Sequence, residues 1–314
     1  MSGTTRQNDL DVGFTISINP GSSTTQGGKQ SSAQENRQAF LTFGDKSWGT
    51  VKVGKDLGIF ASNAILNDMT LLGVGSGAGG LAGNTTTTGR IGTGFIYADW
   101  KSQISYTSPS MNGFQFTAGG TQSFNTQSLG ALGYGTTDIS QADAASTGRG
   151  GDMPTIEGQA TYTFAADKAS GKVWAGFIEG EYNAVGGNTS ADRDQRAYDL
   201  GAALSIGNLN LVAYGYDGEG LGQTIQGYGA VDASGDERDS RGGYVQAKYT
   251  IPTGTVLGYS YGKSTLEKSS SEHANGMTYD LEVSMWVVGA YHPLTKHLNV
   301  VAEYSDVSSE YGTI

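Results

Sequence analysis

Apolar and polar residues alternate with period two along most of this chain. In Glu157–Phe164 the apolar set is Gly158, Ala160, Tyr162 and Phe164, set against Glu157, Gln159, Thr161 and Thr163. Gly243–Ile251 places Val245, Ala247, Tyr249 and Ile251 against Tyr244, Gln246, Lys248 and Thr250. Tyr198–Ile206 and His297–Asp306 follow the same rule, and in Tyr279–Tyr291 the apolar set is Tyr279, Leu281, Val283, Met285 and Val287, against Asp280, Glu282 and Ser284. Successive side chains of a strand point to opposite faces, so each stretch predicts a strand with one apolar and one polar face. Further strands are expected at Leu10–Ile18, Asn36–Phe43, Gly49–Asp56, Ser102–Pro109, Gly113–Gly119, Lys172–Val185, Leu209–Gly218 and Thr255–Lys263, about thirteen in all.

One stretch breaks the period. Ile59, Phe60, Ile65, Leu66 and Met69 are spaced for one or two helical turns. A helical patch inside a β-patterned chain is where the function is expected. The connections also alternate in length. Ser110–Asn112, Gly207–Asn208, Pro252–Thr253 and Leu294–Lys296 are tight turns, whereas Gln122–Asp152, Gly187–Gln195, Leu221–Arg238 and Lys268–Gly276 are long and polar. Short turns on one rim and long loops on the other belong to membrane barrels. The polar face points the same way. Lys248, Asp280, Glu282, Glu303 and Asp199 would be costly in a sandwich core but incur little cost facing a water-filled lumen.

Composition narrows the choice. Hydrophobic residues make up 37% and charged residues 16% of 314, with 50 Gly and 5 Pro. That is too little charge for an ordinary soluble domain, and too little Pro for collagen. No run reaches the ~20 apolar residues of a membrane helix, which leaves a barrel open because its strands are short and alternating. The net charge of −11 argues against nucleic acid as a partner, since no basic stripe is visible. The absence of Cys fits an oxidising compartment. The first eight residues have no apolar core of a signal peptide.

At this point the chain resembles the general porins of Gram-negative outer membranes, which are trimeric sixteen-stranded diffusion channels. The residues carrying the resemblance are Arg37-Gln-Ala-Phe-Leu, Trp48-Gly-Thr-Val-Lys-Val-Gly-Lys-Asp, the helical patch ending Asn67-Asp68-Met69, and Ile104-Ser-Tyr-Thr-Ser-Pro109 with Asn112-Gly-Phe. Near the end, Val288 to Tyr304 is similar to the family's penultimate hairpin. The order and spacing of these motifs span nearly the whole chain. The resemblance implies one all-β domain over residues 1–314: a transmembrane antiparallel β-barrel in the outer-membrane lipid bilayer, without the family's first strands and last strand. It implies that residues 57–97 form a constriction loop folded into the barrel. It also implies a homotrimer, latched in part by Asn19–Glu35, that passes ions and small hydrophilic solutes by passive diffusion.

A porin selects by pore radius and by charges at the constriction. In the family, acids on the inward loop face arginines and lysines on the opposite wall. By position, Asp68 matches a loop acid and Arg37 a wall arginine. Leu72 stands where a second loop acid is expected. Asp99 replaces a further wall arginine, with Arg90 the alternative supplier from the loop. Lys55 and Asp56 end the strand at the loop's root, where Lys55 is a further constriction candidate and local ion pairing the simpler role. The eyelet is therefore expected to be less polarised than is usual in the family, with a mild cation preference from the acid excess. An aromatic ladder would mark a sugar-selective pore, and Phe60 and Trp100 alone do not make one.

Signals for catalysis are weak. His273, His292 and His297 have no metal-ligand spacing, there is no nucleophile elbow, and Gly73–Gly80 lacks the Lys-Ser/Thr of a phosphate loop. No enzyme activity and no cofactor are expected. The clusters at Asp217-Gly-Glu-Gly and Asp232-Ala-Ser-Gly-Asp-Glu offer oxygen ligands for weak calcium binding on the outer loops, with plain polar loops the simpler reading. The alternative to a channel is a structural or adhesive cell-surface β-protein, which should show a fixed repeat; none is found.

Overall fold

The computed structural model describes residues 1–18, 36–72, 89–123, 153–182, 193–232, 235–274, 276 and 279–313. They form one antiparallel sheet of 14 strands in which each strand pairs with its neighbours in sequence. The strands are β1 (Ser2–Gln7), β2 (Leu10–Ile16), β3 (Ala39–Asp45), β4 (Gly49–Leu57), β5 (Trp100–Thr107), β6 (Phe114–Thr121) and β7 (Thr155–Ala166). They continue as β8 (Ala169–Tyr182), β9 (Arg193–Ile206), β10 (Leu209–Glu219), β11 (Asp239–Thr250), β12 (Val256–Leu266), β13 (Tyr279–Thr295) and β14 (Leu298–Thr313). Two short helices, α1 (Ser62–Asn67) and α2 (Ser270–Ala274), lie in connections. Among the described residues no pairing joins β14 back to β1, so these two strands are the edges of the sheet.

Among the described residues the strand count is fourteen rather than about thirteen. The additional strand is β1, whose sequence Ser-Gly-Thr-Thr-Arg-Gln has no apolar residue to alternate. It pairs with β2 from Ser2↔Thr15 to Gln7↔Leu10 across the tight turn at Asn8 and Asp9, both of positive φ. Asn and Asp tolerate that left-handed geometry better than most residues.

Register carries the two faces around the sheet. Leu41, Val53, Ile104, Phe116, Tyr162, Leu200 and Val245 all point outward and are exposed, as lipid-facing side chains are. Toward the long-loop end this outward band gives way to ion pairs, Arg196–Glu179 at 2.9 Å and Lys263–Glu282 at 2.8 Å.

One strand reverses the expectation. On β13 the set Leu281, Val283, Met285 and Val287 faces inward, because Ser264, Gly262 and Ser260 of β12 pair with Val283, Met285 and Val287. The outward face carries Trp286, Val288 and Ala290 with Ser284 and Glu282 above them. Asp280 and Glu282 are thus on the outward parity, and Asp280 accepts a hydrogen bond from the Lys268 amide at 3.1 Å. Lys248, Asp199 and Glu303 do face inward. The physical reason for the reversal lies inside the sheet: Met69 packs with Met285, Val287 and Tyr291 in a small apolar cluster. Apolar residues on an inward face need a protein partner rather than water, and here they have one.

Candidate constriction site

The described parts of the connection from β4 to β5, residues 58–72 and 89–99, turn inward at Gly58 and line the inner wall. The period-breaking residues form α1 and the 3-10 turn Met69–Leu72. Ala61, at φ 61°, starts the helix and has no side-chain cap. The wall replaces the missing cap, because orphan amides at a helix start must find acceptors. Glu157 Oε2 accepts from the amides of Ile59 (2.7 Å) and Phe60 (2.8 Å), and Asp199 Oδ2 accepts from Ala61 (3.1 Å). Tyr214 donates to the same Asp199 oxygen at 3.2 Å.

Further along, Asn63 bridges Gln159 and Lys172. Tyr244 donates to the Ala64 carbonyl at 2.8 Å. Gln246 takes the Met69 amide at 2.7 Å and donates to the Asn67 carbonyl at 2.9 Å. Phe60, Ala61, Ala64 and Ile65 pack with Trp174, Ile178, Tyr214 and Tyr244 into an apolar core inside the sheet. Two inward glycines of β12 make room for the loop. A Cβ at Gly258 would meet Met69 Sδ at 2.5 Å, and one at Gly262 would strike the Thr93 carbonyl and Tyr244 Cβ.

Glu157 is also the hub of a buried ion pair with Lys101, which donates in addition to Gln226 Oε1 at 2.6 Å. Gln226 belongs to the β10–β11 connection, which folds against the returning arm of the loop. There the Tyr97 amide donates to the Thr224 carbonyl at 2.9 Å and Gln223 to the Gly92 carbonyl at 3.1 Å. The outer loops are tied by a second buried pair, Arg238–Glu272. Burial pushes the Glu272 carboxyl up, but the hydrogen bond and charge of Arg238 outweigh it and hold the group below its usual range.

The expected constriction residues fall in different places. Asp68 is 5% exposed and turned into the loop. Its Oδ1 accepts from the Thr70 amide (3.0 Å) and hydroxyl (2.7 Å), and its Oδ2 from the Arg90 amide (2.9 Å). Arg90 is fully buried. Its guanidinium donates to Ser260 Oγ at 2.7 Å and the Met285 carbonyl at 2.9 Å, beside the Tyr244 ring. Asp68 and Arg90 are thus brought together through a backbone amide, with the Arg90 side chain reaching the β12–β13 wall.

Arg37 is exposed in the bend before β3, while its neighbour Gln38 turns inward to Asp56 at 3.0 Å. Lys55 shares the outward parity of Val53, and the inward pair at the loop's root is Lys52–Asp56. Asp99, at φ 55°, accepts its own neighbour's amide, that of Trp100, at 2.6 Å. Phe60 is buried in the core, so it does not line a passage. Asn19–Glu35 and Gly73–Gly80 lie outside the described residues. Asp232 accepts from Ser269, Ser271 and the Asp236 amide, and Asp217 sits in β10 opposite Arg241.

A long sheet of alternating strands, apolar outside, with a loop docked on its inner wall, is the architecture of an outer-membrane channel. The family model for Gram-negative porins matches residues 2–311, and the chain belongs to that family. It is an outer-membrane protein and a channel for diffusion of small solutes. Solved structures of similar fold include the anion-selective porin from Comamonas acidovorans. That likeness has a TM-score of 0.63 and 16% identity, over 98% of this chain and 77% of that one. The outer membrane channel DcaP of Acinetobacter baumannii gives 0.68 and 15%, over 99% and 80%. OmpT of Vibrio cholerae in its trimer form gives 0.56 and 13%, over 99% and 79%. Comparison with curated protein sequences finds no significant match.

Proposed function

We propose that this porin works as a homotrimer in which each barrel passes ions and small hydrophilic solutes by passive diffusion, and that residues 57–97 set the narrowest section. The observation that carries this reading is the docking of the loop on the inner wall through Glu157, Asp199, Tyr244 and Gln246. A loop held by that many buried contacts keeps a fixed cross-section rather than flapping in the lumen. The trimer form of a structural relative supports the assembly. In this reading Ser62, Leu66 and Asn67 border the passage, whereas Asp68 and Arg90 hold the loop's shape from within.

Planar-bilayer recordings test the proposal. Insertion in groups of three equal conductance steps is the expected result. Single isolated steps would contradict the trimer, and a folded preparation without conductance would contradict the channel and favour a structural surface protein.

A further inference from the structure

We infer that residues 221–230 of the β10–β11 connection clamp both roots of the inward loop through Gln226, and so help to fix the size of solute that this channel passes. The inference rests on the channel reading above and assigns part of its size limit to a segment outside residues 57–97.

This segment is not a plain polar loop on the rim. Leu221, Gln223, Thr224, Gln226 and Ala230 are all buried, Leu221 in the same apolar core as Phe60, Phe95 and Trp174. It is folded on itself, with the Gln223 amide donating to the Tyr228 carbonyl at 2.8 Å and the Gly227 amide to the Leu221 carbonyl at 3.0 Å. Its flanks are tied down as well. The Ser240 hydroxyl donates to the Gly222 carbonyl at 2.7 Å, and the Arg238 guanidinium to the carbonyls of Gly229 (3.0 Å) and Val231 (2.9 Å). Polar backbone is buried at little cost only when it is satisfied in this way.

One contact is with the returning root of the inward loop. Tyr97 and Ile225 form a parallel bridge, in which the Tyr97 amide donates to the Thr224 carbonyl at 2.9 Å. The Gln223 side chain donates to the Gly92 carbonyl at 3.1 Å. Thr224 holds its place at φ 70°, a left-handed conformation that a β-branched residue rarely adopts. Such strain persists only where the surroundings impose it, and it gathers at functional contacts.

The other contact reaches the outgoing root. Gln226 Oε1 accepts from Lys101 at 2.6 Å, and Lys101 pairs with Glu157, which holds the amides of Ile59 and Phe60. The Gln226 amide group also donates to the Tyr97 carbonyl at 3.4 Å. One side chain thus touches Tyr97 directly and Ile59 and Phe60 through two others. Gln226 is 1% exposed, so it meets no solute and is a positioning residue. Loosening it frees both ends of the loop at once, and the loop's edge then wanders across the passage.

The chain has no cysteine, so a Tyr97→Cys/Ile225→Cys pair reports on the clamp without background. Partners in such a bridge lie about 5 Å apart, within the reach of a disulfide. In the full-length protein the pair should close under mild oxidation, and the channel should be quieter oxidised than reduced. Gln226→Met keeps the side chain's bulk and removes its hydrogen bonds. It should raise open-channel noise in bilayers and increase stachyose entry relative to glucose in proteoliposomes by about threefold. In the Gln226→Met background the oxidised Cys pair should return both readings towards wild type, and a reducing agent should undo the return. A residue that served stability alone would not show that reversal. Failure of the disulfide to form, wild-type noise and size limit in Gln226→Met, or no response of that variant to the cross-link would each overturn the clamp while leaving the channel intact. If Gln226→Met does not fold, the Cys pair decides alone, and equal noise in its two redox states overturns the clamp. Folded wild-type protein without conductance would overturn the channel reading and the clamp with it.

Discussion

The inner faces of the two halves of the sheet obey one alternation rule and serve opposite ends. On β1–β6 the inward positions are threonines, serines, glycines, glutamines and closed ion pairs with one aromatic, Phe40; Lys101, Gln103, Ser105 and Thr121 are buried, and most of the rest is a surface that water can wet. On β7–β13 they include Trp174, Ile178, Tyr214, Tyr244, Met285 and Val287, together with Glu157, Asp199 and Gln246. That half is a core, complete with buried polar anchors, and its covering layer is the loop. Inward therefore means lumen only where nothing docks. The acids of the second half are acceptors for backbone amides, and buried polar groups must be satisfied in this way.

The contrast makes substitutions on the two halves unequal. The largest effect is expected at Glu157. Its replacement by Ala strands the buried Lys101 and frees the amides of Ile59 and Phe60, at a cost of about 3–5 kcal/mol. Thermal unfolding in detergent should register the loss, and channels should become larger and noisier. An unchanged melting temperature and conductance would remove Glu157 as the loop's anchor.

Next comes Gly262→Val. The new side chain meets the Thr93 carbonyl and Tyr244, so the loop has to move and about 1–3 kcal/mol is lost to overpacking. The same change at Gly13, on the hydroxyl half, meets only the Thr42 hydroxyl and the neighbouring edge strand, and should alter conductance far less.

The outer loops add a dependence on pH. Glu272 has its carboxyl held below its ordinary value of 4.5 in the folded state, so its pairing with Arg238 is fully stabilising above that pH. The contribution is lost as pH falls below 4.5 and through the lowered folded value. Proteolysis of the outer loops should accelerate over that range in the wild type, and Arg238→Met should be susceptible already at neutral pH. Identical protection at every pH would show that the pair does not hold these loops.

The smallest effects sharpen the contrast most finely. Tyr244→Phe removes one hydrogen bond to the Ala64 carbonyl, worth about 1 kcal/mol. Thr42→Ser on the wetted half should cost less than about 0.5 kcal/mol. Equal costs in calorimetry would mean that the two inner faces are not distinct.

Much of the fold was legible in the alternation, because a sheet with lipid outside and polar groups inside writes its register into every second residue. β7, β9 and β11 carried that pattern cleanly. β1 escaped because both of its faces are polar. β13 was read inside out because Met285 and Val287 are apolar for the sake of Met69 rather than lipid. The loop's position was visible in the period change at Ile59–Met69. Its anchors were not, since Glu157 and Asp199 bind backbone amides, and an amide leaves no mark in a sequence. One signal was available: Gly258 and Gly262 share the inward parity of β12, which fits a surface approached by another segment. Asp68 illustrates the limit. It lies in the β4–β5 connection, and where its carboxylate points depends on Thr70 and Arg90 folding back onto it.

The loop turns Leu66 to the passage and Asp68 away from it. The chain contains no cysteine, so single Cys variants report accessibility without background. A charged thiol reagent added during bilayer recording should reduce the conductance of Leu66→Cys within the time of mixing and leave Asp68→Cys unchanged. Rapid block of Asp68→Cys with Leu66→Cys unaffected would reverse the loop's orientation and contradict the account.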